Sequence, residues 1–347
     1  MHVRPVARVR NVALRFRKTP TISAGELLAE LDALSAATRE RRSPELDREL
    51  LKLRHQAGIA LLDQPTTEEP RWPEPDFSSL PDGAIPEVTK HQLTPELVRA
   101  AFLRSGCLLV RGLIPRADVD ALLDAVNAAY AARNAGGGDA YEPFATDPRY
   151  DRIAFDRGVI SADGWGGLWP ADAPAAATTM FDAFERAGIA ELAEGYLGER
   201  PAISVNKSLL RRMDPPAPGA EKGPSAWHQD GAFLGGVRAL NVWLALSHCG
   251  DVAPGMDLVP RRLDGIAPAG TEGAVFDWSV SQAVAEESAG EHGIVRPIFE
   301  PGDVLLFDEL FLHATASEPG MTQPRYAVEC WFFGPSAYPD GYAPLAV

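Results

Sequence analysis

Eight short strand-like runs follow one another between residues 203 and 333, and no other feature of the chain limits its possible folds as much. They are ISVNKSLLRRM (203–213), SAWHQDGAF (225–233), ALNVWLALS (239–247), MDLVP (256–260), GIVRPIF (293–299), DVLLFD (303–308), LHATAS (312–317) and RYAVECWFF (325–333). Gly, Pro and Asp punctuate them, which is the pattern of a sandwich or small barrel of jelly-roll type. Residues 261–292 read as an insertion between strands.

The first part of the chain is helical in character. From Ser23 to about Leu62 the leucines recur at helical spacing in two blocks separated by Ser43-Pro44. Leu27, Leu28, Leu31 and Leu34 make one apolar stripe, and Leu50, Leu51, Leu53 and Ile59 make the next, so a helical hairpin is expected. Residues 63–90 hold six prolines and little periodicity, as a connector or strap would. Residues 93–135 read helix, strand, helix: Thr94-Pro95 opens the first helix, CLLVRGL from Cys107 is a buried strand, and Pro115 near Asp118 opens the second helix. Residues 136–176, rich in Gly, Asp, Pro and aromatics, suggest a flap over a site or a wrap around the core, and one helix is expected at 177–197. The organisation that follows is a basic tail, helical hairpin and Pro-rich connector over 1–92, then one β domain with helical additions over 93–347.

Composition narrows the class. With 48 acidic against 33 basic residues and a formal charge of -15, the chain lacks the electrostatic footprint of a nucleic-acid-binding protein. Residues 1–20 are a local exception, with six Arg or Lys and no acid; the arginines interrupt any apolar core that a signal peptide would need. Cys107, Cys249 and Cys330 are far apart and show no metal-binding or disulfide spacing, as expected of buried thiols in a reducing compartment. No apolar stretch is long enough to span a membrane. A soluble, cytoplasmic protein is expected.

Two strand runs carry the chemistry. His228 and Asp230 lie two residues apart in AWHQDGAF, and His313 follows 85 positions after His228 in FDELFLHATAS. Side chains alternate along a strand, so H-x-D places both ligands on one face while Gln229 points away. Two imidazoles and one carboxylate form the facial set that holds Fe(II) and leaves three positions open. Twelve residues beyond His313 comes Arg325, whose planar guanidinium suits bidentate pairing with the far carboxylate of a dicarboxylic cosubstrate. Asn206 and Ser208 on the first run are candidates for further cosubstrate contacts, and Trp243 in NVWLAL lines the cavity or packs in the core.

The segments LTPELVRAAFLRSGCLLVRGLIP, WHQD, NVWLALSHCGDVAPGMDLVP, FEPGDVLLFDELFLHATAS and RYAVECWFF together resemble the phytanoyl-CoA dioxygenase family over roughly residues 93–335. That resemblance implies a double-stranded β-helix of cupin-like type and an Fe(II)- and 2-oxoglutarate-dependent oxygenase. It implies that His228, Asp230 and His313 ligate iron, that Arg325 binds the C5 carboxylate of 2-oxoglutarate, and that Thr315 sets a hydroxyl against the same carboxylate. One departure stands out: where relatives commonly follow the VP of MDLVP with Gly-Ser-His, this chain reads VPRRLDG, with Arg261 and Arg262.

The expected reaction is hydroxylation or another two-electron oxidation of a small organic molecule, consuming dioxygen and 2-oxoglutarate and releasing succinate and CO2. A carboxylate at Asp230 argues against halogenation, for which related enzymes carry a small residue there. The alternatives are a cupin-type metal-binding protein without oxygenase activity and a zinc hydrolase on the same triad, which would leave Arg325 without an anion. Basic residues near the barrel (Lys207, Arg211, Arg212, Arg238, Arg261 and Arg262) are candidates to receive an anionic substrate group, and Phe144, Trp165 and Trp169 to cover an apolar one.

Overall fold

The computed structural model describes residues 22–64, 69–150 and 167–347; the basic segment 1–20 and Trp165 lie outside the described residues. In chain order the elements are α1 (Ala24–Glu40), α2 (Pro44–Leu62), β1 (Glu87–Thr89), α3 (Pro95–Ser105), β2 (Cys107–Arg111), α4 (Arg116–Asn134), β3 (Gly167–Leu168), α5 (Pro174–Ala187), α6 (Ile189–Leu197) and β4 (Ala202–Met213). They continue with α7 (Gly231–Leu234), β5 (Ala239–Ala245), β6 (Gly255–Leu258), α8 (Gln282–Ala289), β7 (Val304–Phe307), β8 (His313–Ala316), β9 (Arg325–Phe333) and β10 (Pro344–Ala346).

The strands form a large sheet in the order β1-β2-β7-β5-β9-β4-β10, with β3 added to β4, and a small sheet of β6 and β8. This is the jelly roll expected from the sequence, with helices covering one side. The period of two in the large sheet explains why it is buried on both faces. Val242, Leu244, Val304, Leu306, Val328 and Cys330 face the helices. Trp243, Ala245, Leu305, Phe307, Ala327 and Trp331 face the small sheet, where Met256 and Leu258 meet them.

Local chemistry sets the helix ends. Ser23 and Glu26 form a reciprocal capping box at α1, and Ser43 caps α2 with Pro44 in its first turn. Thr94 and Pro95 repeat that arrangement at α3. The single helix expected at 177–197 is two, because Gly188 takes a left-handed φ of 80° that closes α5 and opens α6.

Two of the eight expected strands are shortened to isolated bridges. In SAWHQDGAF only Trp227 and His228 pair, and the chain then turns into α7. In GIVRPIF only Val295 and Phe299 pair. The brief strands β1, β3 and β10 carry too few residues for a periodic signal in the sequence.

The hairpin α1–α2 packs on the β domain and is not held off from it. Arg39 on α1 pairs with Asp182 and Glu185 of α5. Arg54 on α2 is buried over the Phe181 ring and donates to Ala346 O at 2.9 Å. The Pro-rich connector is a strap: Trp72 sits between the guanidinium groups of Arg99 and Arg238, 4.9 and 3.7 Å from its ring centroid. Gly198 permits this, since a Cβ there would lie 2.3 Å from Arg71 O.

The described ends of the 136–176 segment are also tied down. Glu142 N donates to Asp172 O, and Arg48 of α2 pairs with Asp139 and Glu142. Trp169 is buried on the helical side of the large sheet, and Phe144 packs there beside His55 at 5.5 Å. Neither covers the barrel mouth, because the pairing of β3 with β4 directs this segment toward the helices.

His55 ties three segments with one ring. Its Nδ1–H donates to Pro344 O at 2.8 Å and its Nε2 accepts from Asp147 N at 3.0 Å, so the neutral tautomer is required. Burial lowers its pKa from the ordinary histidine value. A lowered folded-state pKa means that the unfolded chain binds the proton more readily as pH falls. The stability that His55 contributes is therefore present above about pH 6.5, the unfolded histidine value, and is lost as pH falls below it. Denaturant midpoints at pH 7.5 and 5 should differ more for the parent protein than for His55→Gln, and an equal difference would contradict this role.

Candidate functional site

His228 and His313 are joined by the backbone before they are joined by anything else. His228 N donates to His313 O at 2.9 Å and His313 N to His228 O at 3.0 Å, the reciprocal pair of an antiparallel ladder. Residues paired in this way project side chains to the same face, and the two ring centroids are 4.4 Å apart. Each ring is then oriented by the carbonyl two residues earlier. His228 Nδ1 is 2.9 Å from Ala226 O, and His313 Nδ1 is 3.1 Å from Phe311 O. A carbonyl only accepts, so each Nδ1 carries the hydrogen and each Nε2 keeps its lone pair for a ligand.

Asp230 reaches the same place by a different route from the strand alternation expected. The extended backbone ends at His228, and Asp230 has helical φ and ψ of -62° and -26° at the start of α7. Gly231 makes the turn possible, since a Cβ there would lie 2.9 Å from Glu309 O and 2.6 Å from Ile266 Cδ1. Asp230 Oδ2 stands 3.9 Å from His313 Nε2, while Oδ1 accepts from Lys207 Nζ at 3.1 Å. Ligand atoms of His228, Asp230 and His313 all lie within 4.8 Å of one another, so these residues could hold a metal ion.

The electrostatics suit that use. Enclosure pushes the His228 pKa down to about 4, with His313 adding to the effect, so the imidazole is neutral near pH 7. Burial opposes a charge on Asp230, but the Lys207 ammonium, which also donates a hydrogen bond to it, outweighs that and holds the carboxyl below its usual range. His228 Nε2, His313 Nε2 and the Asp230 carboxylate are thus two imidazole nitrogens and one carboxylate, the donor set that a divalent iron site requires. Around it are Trp278, edge-on to His228 at 5.2 Å, and Phe307, 4.9 Å from His313.

Arg325 begins β9 on the inward face and is 1% exposed. Its Nη1 donates to Gly255 O at 2.8 Å, its buried Nε has no partner, and no carboxylate pairs with it among the described residues. Burial lowers its pKa to about 10, which still leaves it charged near neutrality. Gly255 opens β6, whose partner β8 carries Ala316 opposite Gly255, Thr315 opposite Met256 and His313 opposite Leu258. The guanidinium therefore sits three strand residues, about 10 Å, from the level of His313, with half-buried Thr315 between them. Trp243 stands beside it, its ring centroid 5.7 Å from Arg325 Cζ and 4.8 Å from that of Phe299.

The first strand is placed differently. Ser208 pairs with Cys330 on the helical side of the sheet, where its Oγ donates to Ser204 O at 2.8 Å. It faces away from Arg325. Asn206 lies in the bulge between Ile203 and Ser208, and its Oδ1 accepts from Ala343 N at 2.9 Å to hold the C-terminal segment. The bulge turns Lys207 inward instead, and Arg211 follows it to pair with Glu329 inside the barrel at 2.8 Å. Alternation alone could not say which parity faces inward.

Most of the other basic candidates have internal partners. Arg212 pairs with Asp214, Arg238 donates to Leu197 O, and Arg262 pairs with Asp308.

The sequence model of the phytanoyl-CoA dioxygenase family matches residues 102–320, well over half of the chain, and the protein belongs to that family of Fe(II)- and 2-oxoglutarate-dependent oxygenases. It is an enzyme of the non-haem iron class. Among solved structures it is similar to EctD from S. alaskensis with 2-oxoglutarate and 5-hydroxyectoine, at 20% identity and a TM-score of 0.51, over 70% of this chain and 78% of that one. AviO1 from Streptomyces viridochromogenes Tue57 is 17% identical, with a TM-score of 0.44, over 72% of this chain and 98% of that one. The epimerase SnoN from nogalamycin biosynthesis is 19% identical, with a TM-score of 0.45, over 69% and 80%. At these identities the likeness is one of fold. No curated protein matches the sequence. No helix among the described residues is long and apolar enough to cross a membrane.

A buried cation without a counter-ion costs stability in the free protein. Arg325→Met should leave the unfolding free energy of the metal-free protein unchanged or raise it, measured by denaturant titration. A loss of several kcal/mol would show that the guanidinium is a structural element instead.

Proposed function

We propose that His228, Asp230 and His313 hold Fe(II), and that Arg325 receives the far carboxylate of 2-oxoglutarate in an enzyme that oxidises a small organic molecule. The observation that carries this reading is the fully buried guanidinium with no carboxylate paired to it among the described residues. A dicarboxylate that chelates the metal at one end and meets Arg325 at the other supplies the missing charge. The spacing of about 10 Å from His313 to the Gly255 end of β8 leaves room for such a molecule. Bound Fe(II) and 2-oxoglutarate supply the oxidising chemistry, using dioxygen and releasing succinate and CO2.

The chain's own residues bind, orient and exclude water. The two Nδ1–H donors hold the imidazoles with Nε2 toward the metal, and Lys207 fixes one oxygen of Asp230 so that the other is presented. Thr315 offers its hydroxyl on the path to Arg325, and Trp243 walls that path. Asp230 keeps a carboxylate in the position that halogenation would need vacant, which supports oxygenation. EctD, of the same fold, is crystallised with 2-oxoglutarate, in keeping with the cosubstrate assigned. The three free, buried cysteines support a reducing, cytoplasmic setting.

Anaerobic addition of Fe(II) and 2-oxoglutarate should produce a weak visible charge-transfer band, and admission of oxygen should yield succinate. His313→Ala should lose iron retention while the fold persists, because a ligand facing a cavity contributes little packing. Arg325→Met should weaken 2-oxoglutarate binding about 10- to 100-fold, as expected for a charge-assisted contact worth roughly 1.5–3 kcal/mol. Iron retention with no band and no succinate would instead identify a metal-binding protein without oxygenase activity.

A further inference from the structure

Gln229, between the two ligands of H-x-D, points away from the metal face and is 2% exposed. Its Nε2 donates to Leu310 O at 2.6 Å and to Gly265 O at 3.0 Å, and its Oε1 accepts from Ala267 N at 2.7 Å. One side chain thus links the segment carrying His228 and Asp230 to the turn that leads into His313 and to the loop after β6. The turn is held by Asp308, whose Oδ1 accepts from Leu310 N at 3.1 Å. The loop is held by Arg262, which donates to the other carboxylate oxygen of the same Asp308.

These contacts close a ring. It runs from Gln229 to Leu310, through Asp308 to Arg262, along the loop to Ala267 and back to Gln229. Asp308 is 3% exposed, so the pair is shielded from water and from salt. The ring lies behind the ligand-bearing segments, which the pairings of His228 with His313 and of Gly231 N with Glu309 O join directly.

We infer that Arg262, acting through Asp308, the 262–267 loop and Gln229, is a positioning residue that sets the separation of His228 and Asp230 from His313. The inference rests on the metal-site reading of those three ligands. It assigns a purpose to the arginine pair in VPRRLDG: Arg262 is turned inward as a brace, leaving Arg261 exposed. A ligand held a fraction of an ångström too far from its partners binds the metal less tightly even when every ligand is present. Loss of outer partners of metal ligands typically weakens binding 10- to 100-fold.

The test uses Co(II), whose visible d–d bands report both affinity and geometry, on Gln229→Leu, Arg262→Met and the double variant, with the thermal midpoint of each metal-free protein. Arg54→Met, altered in the hairpin far from the ring, serves as a control for general destabilisation. Each single variant should bind Co(II) roughly 10- to 100-fold more weakly with shifted bands, and the double variant about as weakly as the worse single one, because both break one ring. Arg54→Met should lower the midpoint and leave Co(II) binding and its spectrum unchanged. Parent-like affinity and spectrum in both single variants, or losses that multiply in the double variant, would overturn the inference. Should Gln229→Leu fail to fold, Gln229→Met takes its place under the same criteria. If Co(II) binds His313→Ala as well as the parent, the metal-site reading itself fails, and the two failures are thereby told apart.

Discussion

The reciprocal backbone pairing of His228 with His313 is the constraint on which the rest of the site depends. It closes a sequence gap of 85 residues with two hydrogen bonds and puts both imidazoles on one face of an antiparallel ladder. Asp230 then needs only a single turn, allowed by Gly231, to bring its carboxylate to the same space. Side-chain choices refine this frame. The carbonyls of Ala226 and Phe311 select one tautomer, and Lys207 holds one carboxylate oxygen.

Charge is distributed with the same economy. Lys207 faces Asp230, Arg211 faces Glu329 and Arg262 faces Asp308, each a compensated pair, while Arg325 has no carboxylate partner among the described residues. A folded protein keeps an uncompensated buried charge where function requires it, since apolar replacement would remove a desolvation penalty. The register of β6 with β8 places Thr315 between His313 and the Gly255 end where Arg325 is anchored, which is the arrangement the proposed function uses.

Much of this was legible in the sequence. The alternation of Val, Leu, Trp and Phe in NVWLALS, DVLLFD and RYAVECWFF specified buried strands with two apolar faces, and β5, β7 and β9 occupy those segments. H-x-D, the later histidine and the arginine were visible as donors of the right kinds. Other features were not legible, for local reasons. A bulge in β4 reverses the parity of Lys207 and Ser208, and no residue in NKSLL announces it. Trp169 looked like a lid residue because aromatics in a Gly-rich stretch suit one, yet its neighbours pair with β4 on the helical side. The brace through Gln229 and Arg262 joins positions 33 apart through a third segment, which no local pattern can encode.

Residue types and their periods, by themselves, determined a jelly roll, two imidazoles and a carboxylate of the kinds that can hold a metal, and an arginine suited to pairing with an anion. Those properties follow from side-chain chemistry and from the alternation of a strand, both of which are local. Only the tertiary structure decided which face of β4 points into the barrel, that Asp230 enters from a turn, that Arg325 has no counter-ion among the described residues, and that Arg262 points inward. Each of these depends on which distant backbone lies alongside, and strand pairing is a property of the whole fold.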